Sequence, residues 1–219
     1  MQREIAYDPV FDAQEHYRLL LDVMARPGKI NILPRMPLSV PAGTVLTDAA
    51  ALVGFALLNA DVSFCADGAG EDLATRYLLV NTSARPVALE EADFVFASGL
   101  AAAALPENMK KGSLPYPEEG ATLVLSVGAM ATEAAGLGAQ TDHAAIGQTP
   151  PGGALAITLQ GPGIAGKKTF FVRGLSTNLV EALQQSNMEF PLGVDLILTD
   201  ADGRVACIPR SSRTRWEVL

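Results

Sequence analysis

Cysteine, histidine and positive charge are all scarce in this 219-residue chain. The two cysteines, Cys65 and Cys207, are far apart and form no CxxC, which excludes a disulfide framework and a thiol-rich metal site. Two free thiols buried among apolar neighbours are the ordinary reading. The two histidines, His16 and His143, have no clustered partners, so the sequence offers no metal-ligand set. Lysine and arginine number 16 against 24 acidic residues, for a net charge of −8 and a pI near 4.7. That balance excludes a nucleic-acid binder, which needs a basic face to displace counterions. A small anion, which responds to local rather than total charge, stays possible. No apolar run reaches the ~18–20 residues of a membrane span, and MQREIAYDP lacks the cationic start and apolar core of a secretory signal. The expectation is a cytoplasmic protein with no membrane or nucleic-acid partner.

What the chain does have is apolar bulk: 49% of its residues are hydrophobic and 18% charged, enough for a buried core. Length and composition suit one domain, residues 1–219. Its most informative stretch is Phe190 to Arg213, FPLGVDLILTDADGRVACIPRSSR. Val194 to Thr199 and Arg204 to Ile208 read as strands joined by the turn Asp200-Ala201-Asp202-Gly203, a β-hairpin. Pro209 ends the second strand because it cannot donate to a ladder. Beyond it Arg210, Arg213 and Arg215 form a positive cluster on an acidic protein. Arginine suits bidentate recognition of phosphate or phosphonate oxygens; it equally suits a salt-bridged surface or a subunit contact, the reading favoured for the cluster as a whole. Asp195 lies in an apolar strand, where alternation allows either a buried carboxylate or a solvated one. Ser211 and Ser212 have no base in view and are weak as nucleophiles.

Along the rest of the chain, Asp12 and Glu15 resemble a capping box opening a helix that Arg26-Pro27-Gly28 closes. His16 sits one residue off that helix's apolar stripe and reads as a solvated or hydrogen-bonded helix residue rather than a catalytic one. Asp48 is placed to cap a buried helix from Ala49 to Asn59, and Glu71 to Val80 fits another. Val62 to Cys65, Phe94 to Phe96, Gly120 to Val127 and Ala154 to Gln160 read as strands; Ala97 to Ala104 is read as helical and Met109 to Glu119 as a loop. Gly128 to Gly153 has no convincing period and reads as a loop; its Asp142-His143 pair has no nearby nucleophile and reads as a surface pair rather than a proton relay. A helix capped at Ser176 or Thr177 runs to about Ser186. Strands and helices alternate irregularly, so the expected fold is α/β with a mixed sheet flanked by helices.

Gly161 to Thr169, GPGIAGKKT, nearly matches a phosphate-binding P-loop. Lys168 occupies the place of the magnesium-binding Ser or Thr, and Thr169-Phe170-Phe171-Val172 is strand-like where a helix N-terminus should supply amides and dipole. A glycine turn with solvated lysines is the default. A free-standing nucleotide-binding phosphotransferase using the Gly161–Lys167 loop is the rival functional reading.

Several of these stretches look familiar together. FDAQEHYRLLLDVMARPG (Phe11 to Gly28), GATLVLSV (Gly120 to Val127), GPGI (Gly161 to Ile164), FPLGVDLIL (Phe190 to Leu198) and IPRSSR (Ile208 to Arg213) occur in one order across nearly the whole chain. In that combination the sequence resembles the PhnH family, a subunit of the bacterial carbon–phosphorus lyase system. The resemblance implies an accessory, homodimeric subunit working with the G, I and J subunits, which convert MgATP and an alkylphosphonate to ribose 1-alkylphosphonate 5-triphosphate and adenine. It implies a fold similar to pyridoxal-phosphate-dependent transferases without that cofactor's site, and hence no cofactor on this chain. It makes Arg210, then Arg213, the best-supported motif positions for a partner surface or for phosphonate or nucleotide phosphates, and leaves catalytic residues unassigned. A third version keeps the transferase-like fold purely for assembly. Gly128 to Gly153 is longer than the family usually carries, and Lys167 and Lys168 lie outside its motif.

Overall fold

A computed structural model describes residues 3–101, 104–137 and 153–219 of the chain. Apolar residues on alternate faces of its central strands split the core in two, and that split sets the layers. Seven strands form the large sheet: β1 (Asn31–Ile32), β2 (Ser63–Asp67), β3 (Arg85–Pro86), β4 (Phe94–Ser98), β5 (Thr122–Ser126), β9 (Asp195–Thr199) and β10 (Arg204–Ile208). Their order is β1-β10-β9-β5-β4-β2-β3. From β3 to β9 neighbours run parallel, while β10 is antiparallel to both β9 and β1.

One face of this sheet presents Phe64, Phe96, Val124, Ile197 and Cys207 to the helices α1 (Phe11–Ala25), α2 (Asp48–Leu57) and α3 (Glu71–Thr82). The period-two partners of those residues, Val95, Leu123, Leu125, Leu196, Leu198 and Ile208, face the other way. They pack on a second, antiparallel sheet of order β11-β7-β8-β6, built from β6 (Ala129–Ala131), β7 (Leu155–Gln160), β8 (Lys168–Arg173) and β11 (Arg213–Val218). Helices α4 (Leu105–Asn108) and α5 (Thr177–Ser186) complete that side, α5 burying Leu179, Val180 and Leu183. Central strands covered on both faces explain the unbroken apolar runs of β5 and β9.

The mixed sheet and its flanking helices are as expected; the second sheet is not, and Ala129 to Ala131 and Arg213 to Val218 are its unforeseen strands. Several boundaries also move. Helix α1 begins at Phe11, and Asp8, not Asp12, caps it: its Oδ1 accepts the amides of Val10 and Phe11 at 2.8 and 3.0 Å. Asp12 reaches back to the Asp8 amide at 2.7 Å, so the reciprocal box exists four residues upstream of its expected start. Thr47 caps α2, accepting the Ala50 amide, with Asp48 in the first turn. Ala97 is not helical: it continues β4 and pairs with Leu125. Part of Gly128 to Gly153 is ordered as β6 and a 3-10 turn at Ala134–Leu137, whereas Asp142 and His143 lie outside the described residues. Cys207 is buried and Cys65 half-buried, both as free thiols, and burial pushes the Cys207 thiol up. Among the described residues no helix is long and apolar enough to cross a membrane.

His16 packs inside, 1% exposed, stacked on Tyr7. The Pro34 carbonyl 3.3 Å away can only accept, so Nε2 carries the proton and Nδ1 faces the Tyr7 hydroxyl at 3.5 Å. Burial lowers its pKa below the usual 6.5, outweighing the Pro34 carbonyl and the Asp12 and Glu15 carboxylates, which favour the charged ring. The unfolded chain therefore takes up a proton first as pH falls, and stability drops from about pH 6.5 downward. Thermal melts at pH 7.5 and 5.5 should show a larger loss for the wild type than for His16→Gln.

Candidate functional site

Arg210 follows Pro209 at the end of β10, and its guanidinium turns inward. Its Nε and Nη2 donate to Asp195 Oδ2 at 3.0 and 2.5 Å, while the Arg210 amide donates to Oδ1 at 2.8 Å. Nη1 donates to the Pro117 carbonyl at 2.8 Å and Nη2 to that of Gly120 at 3.2 Å. Four of the five guanidinium N–H groups are thus held inside the protein. The pair is largely buried, with side-chain exposures of 14% and 20%. Asp195 is therefore the inward carboxylate that alternation left open, and it owes its tolerance in an apolar strand to this fork.

Gly120 is glycine because the arginine lies against it: a Cβ there would collide with Arg210 Nη1 and come within 2.6 Å of the Gly193 carbonyl. Beyond Arg210, the backbone of Ser211 and Ser212 lies against the β7–β8 turn, where a Cβ on Gly161 would meet the Ser211 carbonyl at 3.1 Å. On its other side that turn meets the end of α1. A Cβ on Gly163 would strike the Ala25 carbonyl and approach Pro27 Cδ to 3.2 Å, and one on Gly28 would meet Lys168 Cγ at 2.6 Å. Five stretches far apart in sequence, Phe11 to Gly28, Gly120 to Val127, Gly161 to Ile164, Phe190 to Leu198 and Ile208 to Arg213, thus form one continuous junction. Their glycines admit close backbone approach and their arginine ties the ends.

Arg213 and Arg215 are placed differently. They begin β11, which pairs with β7 from Arg213↔Gln160 to Val218↔Leu155, and both are exposed while Trp216 packs toward the core. Neither side chain has a hydrogen-bond or ion-pair partner among the described residues. Gly161 to Lys167 is the tight turn of an antiparallel hairpin between β7 and β8. No helix follows it, so the amide cradle and dipole of a P-loop are lacking and the nucleotide-loop reading loses its geometric basis. Sequence reasoning missed Asp200. It is 1% exposed and accepts from the Asp202 and Arg204 amides at 3.0 Å, from the Met130 amide at 3.0 Å and from the Arg204 guanidinium at 3.2 Å. It locks the hairpin turn and ties it to the second sheet; its place at the head of an Asp-x-Asp-Gly turn was the available signal.

Between α5, β7 and the β10–β11 connection lies an open cavity of about 640 Å³. Leu179, Leu183, Leu196 and Ile208 line its apolar part, and Arg210, Ser211, Ser212 and Arg213 its polar side. The junction and the cavity thus share one wall.

Layered sheets joined by a motif-built junction define an α/β protein whose distinctive residues are spent on holding its own backbone. The family described as bacterial phosphonate metabolism protein (PhnH) matches residues 6–215. The chain belongs to the PhnH family. It is 26% identical over 212 residues, 96% of this chain and 94% of the relative, to a protein of Rhizobium meliloti (strain 1021) named alpha-D-ribose 1-methylphosphonate 5-triphosphate synthase subunit PhnH. It is also 32% identical over 128 residues, 58% of this chain and 53% of the relative, to a candidate C-P lyase subunit protein, HtxG, of Stutzerimonas stutzeri.

Proposed function

We propose that this chain is an accessory subunit of a carbon–phosphorus lyase complex, one domain acting as a cytoplasmic homodimer without turnover of its own. With G, I and J partners it would support the conversion of MgATP and an alkylphosphonate to ribose 1-alkylphosphonate 5-triphosphate and adenine. The family match across residues 6–215 carries this reading, supported by a near full-length relative named as a synthase subunit. The junction supports the accessory part: Arg210 and Asp195 are committed to each other, so they act as positioning residues for the surface that Ser211 to Arg215 present. Arg213 and Arg215, exposed and unpaired among the described residues, are the candidate contacts for a subunit or for an anionic ligand.

A further part of the proposal is that the fold is a relative of the pyridoxal-phosphate-dependent transferases that has shed the cofactor. The largely parallel seven-stranded sheet with its helices supports this. The residues present do not suit the cofactor: Lys29 and Lys110 are paired with Asp22 and Asp93, and no lysine lines the cavity.

Co-purification tests the assembly. Tagged wild-type chain should retain the G, I and J partners through size-exclusion chromatography. Arg215→Glu, on the exposed face of β11 and outside the cavity lining, should retain them less. Failure of the wild type to hold any partner would sink the subunit reading.

A further inference from the structure

The cavity beside the junction has the chemistry of a small-molecule site. Its volume, about 640 Å³, lies within the range of ligand pockets and far exceeds a methyl group or a bare oxyanion. Its floor is apolar and rigid: Leu179, Leu183, Leu196 and Ile208 are between 1% and 7% exposed and belong to one core cluster. Its mouth is open, since Met188 and Phe190 line it and are themselves largely exposed.

The polar side has one sign of charge. Although the chain carries a net charge of −8, among the described residues no Asp or Glu lines the cavity, and the charged lining residues are Arg210 and Arg213. Arg210 is neutralised by Asp195, which leaves the Arg213 guanidinium as the uncompensated charge. The amides of Gln184 and Asn187 are already occupied by the backbone of Thr214 and Val194. Ser212 is different: its Oγ is buried and has no hydrogen-bond partner, and buried polar groups in folded proteins are almost always satisfied. A residue with a free cation and one with an unsatisfied hydroxyl, consecutive in the chain, both line this apolar pocket.

We propose that this cavity binds an organic oxyanion with an extended apolar body, its phosphonate or carboxylate head held by Arg213 and Ser212 and its hydrocarbon packed on the α5 leucines. The site belongs to the isolated chain, so this inference stands or falls separately from the subunit reading.

The test is titration of the full-length chain with octylphosphonate, octanoate, methylphosphonate and neutral octanol. It is read by calorimetry and by the fluorescence of Trp216, the sole tryptophan, which pairs with the cavity residue Ile157. The expected result is saturable one-to-one binding of an eight-carbon oxyanion. The phosphonate and carboxylate arms show which head is preferred. Methylphosphonate should bind far more weakly, since each buried methylene is worth about fourfold in affinity. Arg213→Gln, on an exposed strand position, should weaken binding about tenfold. Ser212→Ala should weaken it several-fold while leaving the melting temperature of the free chain unchanged or raised, a combination that a purely structural serine would not give. Absence of saturable binding by both eight-carbon oxyanions, equal affinity for octanol, or indifference to Arg213→Gln would overturn the proposal.

Discussion

Arg210→Ala is expected to lower the stability of the chain by about 3 kcal/mol, because it strips the counter-charge from Asp195 inside a largely buried pair. For a chain of this length that corresponds to a melting temperature lower by roughly 6–12 °C. Three effects combine: Asp195 is left uncompensated, the Pro117 and Gly120 carbonyls each lose a guanidinium donor, Pro117 keeping only the Gly120 amide, and Gly120 faces a void. Arg210→Lys should recover less than half of the loss, since one ammonium cannot bridge a carboxylate and two carbonyls. Arg210→Met with Asp195→Asn should recover more, because the amide still accepts from the residue-210 backbone N–H and no charge is buried. Thermal and urea denaturation of the wild type and the three variants read this directly. An unchanged melting temperature for Arg210→Ala would mean that the fork is not what closes the junction.

The second large effect is expected at Gly163. Its φ of +78° disfavours any side chain, and a Cβ there would run into the Ala25 carbonyl. Gly163→Ala should therefore cost about 2–4 kcal/mol, left-handed strain of about 1–2 kcal/mol plus the displacement of the turn from α1. Gly166 is an internal control. It has φ +79° in the same turn but nothing within 4 Å of its Cβ position, so Gly166→Ala should cost only the strain. Equal losses at the two positions would show that the turn does not dock on α1.

The contrast between these residues shows what can be read from a sequence of this kind. The hairpin of β9 and β10 was legible to within a residue, because alternation, an Asp-Gly turn and a terminating proline are all local signals. The inward turn of Arg210 was not. Asp195 lies 15 positions away and the carbonyls of Pro117 and Gly120 lie 93 and 90 positions away, and no local pattern reports a partner at that distance. The arginines at 210, 213 and 215 read as one cluster because charge dominates the stretch. The strand that Arg213 and Arg215 share was hidden, since its inward side consists only of Thr214 and Trp216. The motif order identified the family, whereas only the fold revealed that those motifs meet.

Adenine release by reconstituted complexes given MgATP and methylphosphonate tests the central claim most directly. The chain alone should release none, the G, I and J partners without it should fall well short, and adding the wild-type chain should restore turnover. Adenine release by the isolated chain, or full turnover by the partners without it, would contradict the accessory-subunit account.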